Sequence, residues 1–322
     1  MGRAYGHQAE LLFAYETVDY GTASVDGTYY KLPFITLDVG GERPDEEDPA
    51  LSTAAGRDPN EPLPGLFSDG GQIVVPLDLR NIGFWLKLQF DKVSSANVCG
   101  VYTHTFVSGD NALPSATVEV GYPDASLYYL NTGVRAESIA LGLNRQNHPV
   151  ATIQLVGQDE AKDTSSVDST PNTLTYSRFT KFQGMVKRNG TDLSNVINSE
   201  LTYANNLEVL DDILRSDDLI EDAEPGLASL TGSITTRFAD DTLRNDADTR
   251  ATLDLDHIWT IDADNNLTVG AHQCHLSVPK RPIGGPGAVQ PAFPWVASYD
   301  SGESEMLEIL LENDVADYVN AS

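Results

Sequence analysis

The chain has 322 residues, and its 48 Asp and Glu against 20 Lys and Arg give a formal net charge of −28. Gripping nucleic-acid phosphates or an anionic membrane needs a basic footprint, so this balance argues against both. The same acidity favours solubility and suits a salt-rich habitat, where self-repulsion is screened. Cys99 and Cys274 are the only cysteines. They are too few for a disulfide framework, and a reduced compartment is the simpler reading. The opening MGRAYGHQAELLFAYE has one Arg and an interrupted apolar run. It predicts no signal peptide, and no stretch approaches the length of a membrane-spanning helix. The expectation is a soluble protein that is not exported through a secretion signal.

In chain order, residues 11–16 read as a short strand and Asp26-Gly27 as a turn. Residues 29–37, YYKLPFITL, are rich in aromatic and β-branched side chains and predict a strand with Pro33 at an edge or bulge. Residues 38–71 lack periodicity, contain five prolines before Leu66 and carry the acidic run Asp45-Glu46-Glu47-Asp48. A loop of that length is functional or mobile, although an acidic run is more often a solvated face. In residues 72–79 Ile73, Val75, Leu77 and Leu79 alternate, which is the period of a half-buried strand. Asp78 or Asn81 then caps a helix whose Ile82, Trp85, Leu86 and Gln89 fall at helical spacing, with Trp85 as core filling. Strands follow at 101–107, 116–121, 135–143 and 150–157. Residues 160–175 are rich in Ser, Thr and Asp and form the natural linker.

The second half repeats the order of the first. Pro64, Gly65, Leu66, Ser68, Gly71 and Ile73 return as Pro225, Gly226, Leu227, Ser229, Gly232 and Ile234, a constant offset of 225 − 64 = 161. Turn residues converge by chance, but six identities at half the chain length predict duplication. The segment 204–232, which looks partly helical, is then the counterpart of 38–71. Asp240-Asp241 caps a second helix around Leu243, and strands at 257–261, 267–278, 288–295 and 306–312 are the equivalents of the first-half set. The expected organisation is a first domain at 1–160, a linker at 161–177 and a second domain at 178–322. The expected fold is mainly β: two tandem β-sandwich or partly closed barrel domains, each with one short α-helix.

Enzyme signatures are missing. The chain holds no G-x-S-x-G, no G-x-x-x-x-G-K-[ST] and no H-E-x-x-H. His272, Cys274 and His275 resemble part of a zinc site, but on a strand His272 and Cys274 face one side and His275 the other. Asp262, Asp264 and Asn266 mimic a calcium loop without its Gly and closing Glu, so a hairpin turn is favoured. The glycines at 284, 285 and 287 lack the Lys of a phosphate cradle. No catalytic residue, metal or cofactor is expected.

The succession of motifs resembles the tail tube proteins of long, non-contractile-tailed bacteriophages (siphophages). It runs through ELLFAYETVDYGT, GRDPNEPLPGLFSDGGQIVVPLDLRNIGFWLKLQF, YTHTFVSG, LPSATVEVGYPD, RFTKFQGMVKRNGT, LTYANNLEV and RPIGGPGAVQPAFPWV, and ends at LEND. The resemblance spans nearly the whole chain and implies a structural, non-enzymatic virion protein. Such proteins close as rings of six units that stack into a hollow tube for DNA ejection. Two units per chain imply a homotrimeric ring, a pseudo-hexamer, with a hexamer of chains as the alternative. A carboxylate-lined lumen would let DNA slide, whereas a saline habitat explains the acidity equally well. The resemblance also implies a loop that reaches the next ring: Asp45, Glu46, Glu47, Asp48, Arg57, Asp58 and Glu61 in the first half, and Asp217, Asp218, Glu221 and Asp222 in the second. Implied partners are further copies of the chain, a tape measure protein, tail terminator or tip proteins and DNA in transit, with assembly in the host cytoplasm. The alternative function is an acidic carbohydrate- or calcium-binding β-sandwich. A halophilic hydrolase would need a nucleophile motif that the chain does not show.

Overall fold

The stretch that repeats shows how local chemistry sets the fold. In a computed structural model, which describes residues 3–25, 29–50, 58–90 and 93–318, Ile73, Val75, Leu77 and Leu79 are all buried. The strand that holds Ile73 and Val75 runs from Ser68 and stops at Pro76, which has no N–H to continue a ladder. The Asp78 carboxylate then accepts the backbone N–H groups of Arg80 (3.0 Å) and Asn81 (2.7 Å), closing the turn into the first helix. The predicted side-chain cap is not made: Asn81, the residue before α1, forms none, and Asp78 braces the turn ahead of the helix instead. At the second helix Asp241 likewise forms no side-chain cap, while Asp240 accepts the N–H of Thr242 at 3.0 Å.

The chain is mainly antiparallel β with two short helices. The strands are β1 (Glu10–Tyr15), β2 (Thr36–Glu42), β3 (Ser68–Pro76), β4 (Val93–Val98), β5 (Val101–Val107), β6 (Ala116–Tyr122), β7 (Leu127–Asn144), β8 (Val150–Gly157) and β9 (Asp159–Asp163). They continue as β10 (Gly184–Arg188), β11 (Val196–Ala204), β12 (Ser229–Thr236), β13 (Leu253–Asp262), β14 (Asn265–Leu276), β15 (Ala292–Val296) and β16 (Leu307–Asn313). Helix α1 (Ile82–Gln89) follows β3, and α2 (Thr242–Thr249) follows β12.

A central sheet runs in the order β2-β3-β8-β7-β11-β12-β15-β14. Two flanking sheets are built around it, β1-β6-β7-β9 and β10-β13-β14-β16-β5-β4. The long strands β7 and β14 each pass from a flanking sheet into the central one. In β7 the transition lies near a register shift between Ala136 and Ser138.

The two halves share one strand order. β1-β6-β7-β9 corresponds to β10-β13-β14-β16, and β2-β3-β8-β7 to β11-β12-β15-β14. Cross-strand rows coincide: Val39–Gly71–Leu155–Ala136 in one half, Leu201–Gly232–Trp295–Leu276 in the other. The repeated glycine sits inside each row for a steric reason. A Cβ on Gly71, whose φ is +136°, would lie 1.8 Å from the Asp38 carbonyl oxygen, and one on Gly232 would lie 2.4 Å from that of Glu200. The turn before it recurs too: Gly65 N–H donates to Pro44 O (2.8 Å) as Gly226 N–H donates to Asn205 O (3.1 Å).

Several elements differ from expectation. Residues 29–37 make no single strand. Tyr30–Lys31 pairs with β1, the chain turns through Pro33, and pairing resumes at Thr36. The segment 204–232 contains no helix; its base is closed by Glu208–Val209 paired with Ala223–Glu224. The strand at 101–107 has no counterpart at 257–261. Instead the hairpin β4–β5 is an insertion between α1 and β6 that crosses to the second half and pairs with β16. Residues 161–163 lie in β9, and the rest of the segment to 177 is held on the first half, where Val167 N–H donates to Glu119 Oε2 (2.6 Å) and Asn172 N–H to Tyr29 O (2.8 Å). The turn predicted at Asp26-Gly27 lies outside the described residues.

The core is continuous across both halves. Phe13 packs edge-on to Tyr15 and Trp85, and Phe84 packs on Tyr30 and Tyr318. Helix α1 is buried on nearly every side, whereas α2 buries only Leu243, Asp246 and Ala247. Its Asp246 is held by a bidentate pair to Arg188, both contacts 2.6 Å.

Candidate assembly surfaces

Two loops leave the same end of the central sheet, one between β2 and β3 and one between β11 and β12. Asp45 and Glu46 lie in a two-residue strand paired with Leu63–Pro64, which closes the base of the first loop as Glu208–Val209 with Ala223–Glu224 closes the second. Glu47, Asp58 and Glu61 are exposed, and Asp48 accepts the Ala50 N–H at 2.9 Å. Arg57 lies outside the described residues. Among the described residues none of Asp45, Glu46, Glu47, Asp58 or Glu61 forms an ion pair.

The second loop's acids are instead engaged internally. Asp217 binds Arg215 through 2.7 and 3.0 Å contacts, which hold its carboxyl below the usual range, and Glu221 binds the same guanidinium. Asp222 pairs with Arg135 at 2.6 Å, and Arg135 also lies 4.6 Å from the Tyr20 ring centroid. Asp218 joins the two loops: it pairs with Arg43, and its carbonyl accepts the Phe67 N–H at 3.0 Å. Sequence reasoning placed these acids in loops but missed Arg43 and Phe67. It also missed the pair Leu66 and Leu227, one from each repeat, which are 52% and 92% exposed. Their identical place in the repeat was the available signal.

The central sheet offers an edge at each end. β7 pairs with β8 on one side and with β11 on the other, and that second pairing, Ser138↔Ala204 through Asn144↔Asn198, joins the halves. Beyond Leu276, the place matching Ala136, residues 277–283 are mostly exposed; Ser277 N–H donates to Pro294 O of β15 (2.7 Å) on one side, and no strand pairs with the other side among the described residues. At the opposite end β2 pairs only with β3 among the described strands. Thus the two strands that match the β7–β11 junction stand at opposite ends of one sheet.

The face of the central sheet turned away from the core is polar. Buried Ile73, Ile153, Leu201 and Ile234 alternate with Gln72, Gln154, Thr202 and Ser233. Asp38, Glu42 and Glu200 are carboxylates on this face. β2, β3, β8, β11, β12 and β15 contain no Lys or Arg.

The sequence profile of a family described as phage tail tube protein matches residues 6–297. The chain belongs to that family. No curated protein matches it. As a tail tube protein it is a structural component of the virion tail that assembles with other tail proteins into a tube.

The tail tube protein disposes its enzyme-like motifs structurally. Asp262 and Asn265 form the β13–β14 hairpin turn, with Asp262 Oδ1 accepting Asp264 N–H (3.0 Å) and Asn265 Nδ2 (2.8 Å). His272 and Cys274 do not share a face as predicted. Gln273 adopts φ +46° as the extra residue of a β-bulge, since Leu253↔Cys274 is followed by Leu255↔Ala271. Cys274 therefore turns into the core while His272 points out. Another buried pair, Ser199 Oγ and His257 Nε2 at 2.7 Å, lies in the core, where burial pushes the imidazole down to about 4. No helix among the described residues is long and apolar enough to cross a membrane.

Proposed function

We propose that this tail tube protein forms a homotrimeric ring with pseudo-sixfold symmetry, and that stacked rings make the conduit for double-stranded DNA ejection from a long, non-contractile-tailed phage. The observation that carries this reading is the β7–β11 junction. It joins two four-stranded units edge to edge within one chain and leaves the matching edges, residues 277–283 and β2, for the next chain. Repeating the junction between chains makes a head-to-tail contact that closes by rotation. The two units are tandem domains, 1–160 and 178–322, with 161–177 between them.

Width favours three chains over six. Eight strands per chain give 24 in a trimer; at about 4.8 Å per strand the circumference is roughly 115 Å and the diameter roughly 37 Å, more with strand tilt. Side chains take about 5 Å from each wall, leaving room for one duplex. Six chains would double the diameter. The polar face of the central sheet is then the lumen. Its ionic groups are mainly Asp38, Glu42 and Glu200, which repel phosphates, and Lys280, a cation at the chain contact, is paired with the first two.

The two loops carry ring-to-ring contact. Asp45, Glu46, Glu47, Asp48, Arg57, Asp58 and Glu61 meet the next ring from one loop, and Asp217, Asp218, Glu221 and Asp222 from the other. A tape measure protein and terminator or tip proteins complete the tail, assembled in the host cytoplasm. Mass measurement of an isolated ring tests the proposal: three chains are expected, and six overturn it.

A further inference from the structure

We propose that His272, Glu305 and Glu308 bind one divalent transition-metal ion of the Zn2+ or Mn2+ class on the outer face of the second flanking sheet. A ring nitrogen of His272 and one carboxylate oxygen from each glutamate lie within 4.8 Å of one another, a spread that one ion can bridge. The fold builds this convergence from two strands, β14 and β16, and the turn that leads into β16. The bulge at Gln273 turns His272 outward, and its backbone N–H donates to Met306 O at 3.0 Å, which fixes it beside β16.

Two positions earlier on the same strand, Gly270 lies opposite Glu308 on β16 and Asp256 on β13. Having no side chain, Gly270 leaves a hollow beside His272, whose Cε1 is 3.9 Å from where a Cβ would stand. Glu305 ends a turn closed by Asp300 N–H donating to its carbonyl oxygen at 3.0 Å.

The imidazole is prepared for a ligand role. Asp254 Oδ1 lies 3.7 Å from Nδ1, a carboxylate placed to orient the ring, while Nε2 is shielded from solvent and has no hydrogen-bond partner. Asp256 adds negative charge nearby, and Lys187, its opposite neighbour on β10, balances it. One nitrogen and two oxygens leave open positions for water. Imidazole ligation favours transition metals over Ca2+ and Mg2+, which prefer all-oxygen sites. The HQCH pattern gave no hint of this set, because Glu305 and Glu308 come after β15 in the chain and meet His272 only through the pairing of β14 with β16.

Calorimetric titration of the assembled protein with Zn2+ alone tests the site. The expected result is one equivalent bound per chain and a raised unfolding midpoint. His272→Ala and Glu308→Gln should each weaken binding at least tenfold, while exposed His148→Ala leaves it unchanged. Metal-free unfolding curves of the variants establish that they fold, and Co2+ loaded in place of Zn2+ should lose its visible absorption change in His272→Ala. Absence of saturable binding, or wild-type affinity in His272→Ala, overturns the proposal.

Discussion

Asp69 shows how one side chain can set a pH dependence. Its Oδ1 accepts the Gly70 N–H at 2.8 Å, while its Oδ2 is buried without a partner. Burial first, then the carboxylates of Glu160 and Asp159, push its pKa up to about 7. The unfolded chain releases this proton near the ordinary value of about 3.9. Between the two values the folded state binds more protons, so stability falls as pH rises and the loss is complete above about 7. Asp69→Asn should be more stable than wild type at pH 8, with the difference shrinking toward pH 4 in denaturant titrations. A difference independent of pH would contradict this. Gly83 makes a second residue-scale prediction. A Cβ there would sit 2.1 Å from the Tyr318 ring, whose hydroxyl accepts Asn313 Nδ2 at 2.7 Å. Gly83→Ala should displace the ring and cost about 1–3 kcal/mol by overpacking, measured by thermal unfolding.

At the scale of elements, the β4–β5 hairpin ties the halves together. It leaves the first half after α1 and completes the second flanking sheet by pairing β5 with β16. Phe106 anchors it and is fully buried opposite Ile309. Phe106→Ala should cost about 3–5 kcal/mol. Hydrogen exchange should quicken in β16 more than in β8, because only β16 depends on the hairpin for a neighbour. Equal loss in both strands would mean that the sheets unfold as one unit. The loops behave differently, since the exposed Leu66 and Leu227 contribute little within the chain. Changing both to Asp should leave ring formation intact and reduce ring stacking, visible as short tubes or single rings by electron microscopy.

For the whole molecule, the decisive quantity is the number of strands that face the lumen of the proposed ring. The proposed ring uses the junction already present inside the chain as its template, so the edges at 277–283 and β2 are satisfied by a second copy. Lys280 lies on one edge and Asp38 and Glu42 on the other, which gives the contact a charge pairing. Lys280→Glu should lower the yield of rings and make the remainder more salt-dependent in its assembly. Adding Asp38→Lys and Glu42→Lys to the same chain should recover much of that yield. Sedimentation of the three proteins over a salt series checks this, and an unaffected Lys280→Glu would place the contact elsewhere.

Much of the fold was legible in the sequence because side-chain alternation is local. Ile73 and Val75 share the buried side of β3, Leu77 and Leu79 are buried just beyond its end, and residues 150–157 matched β8 to the residue. The mainly β class, the two short helices and the repeated Pro-Gly-Leu turn followed from the same short-range rules. Strand partners were not legible, because pairing joins residues far apart and is selected by which apolar faces can be buried together. Only the tertiary structure sent the 93–107 hairpin to β16, broke 29–37 at Pro33 and denied 204–232 a helix. It also inserted the bulge that parts His272 from Cys274, brought Glu305 and Glu308 beside that histidine, and linked the two acidic loops through Arg43 and Asp218. The repeated residues were written in the chain, but the edge-to-edge junction of β7 with β11 exists only in three dimensions, because it joins strands far apart in sequence.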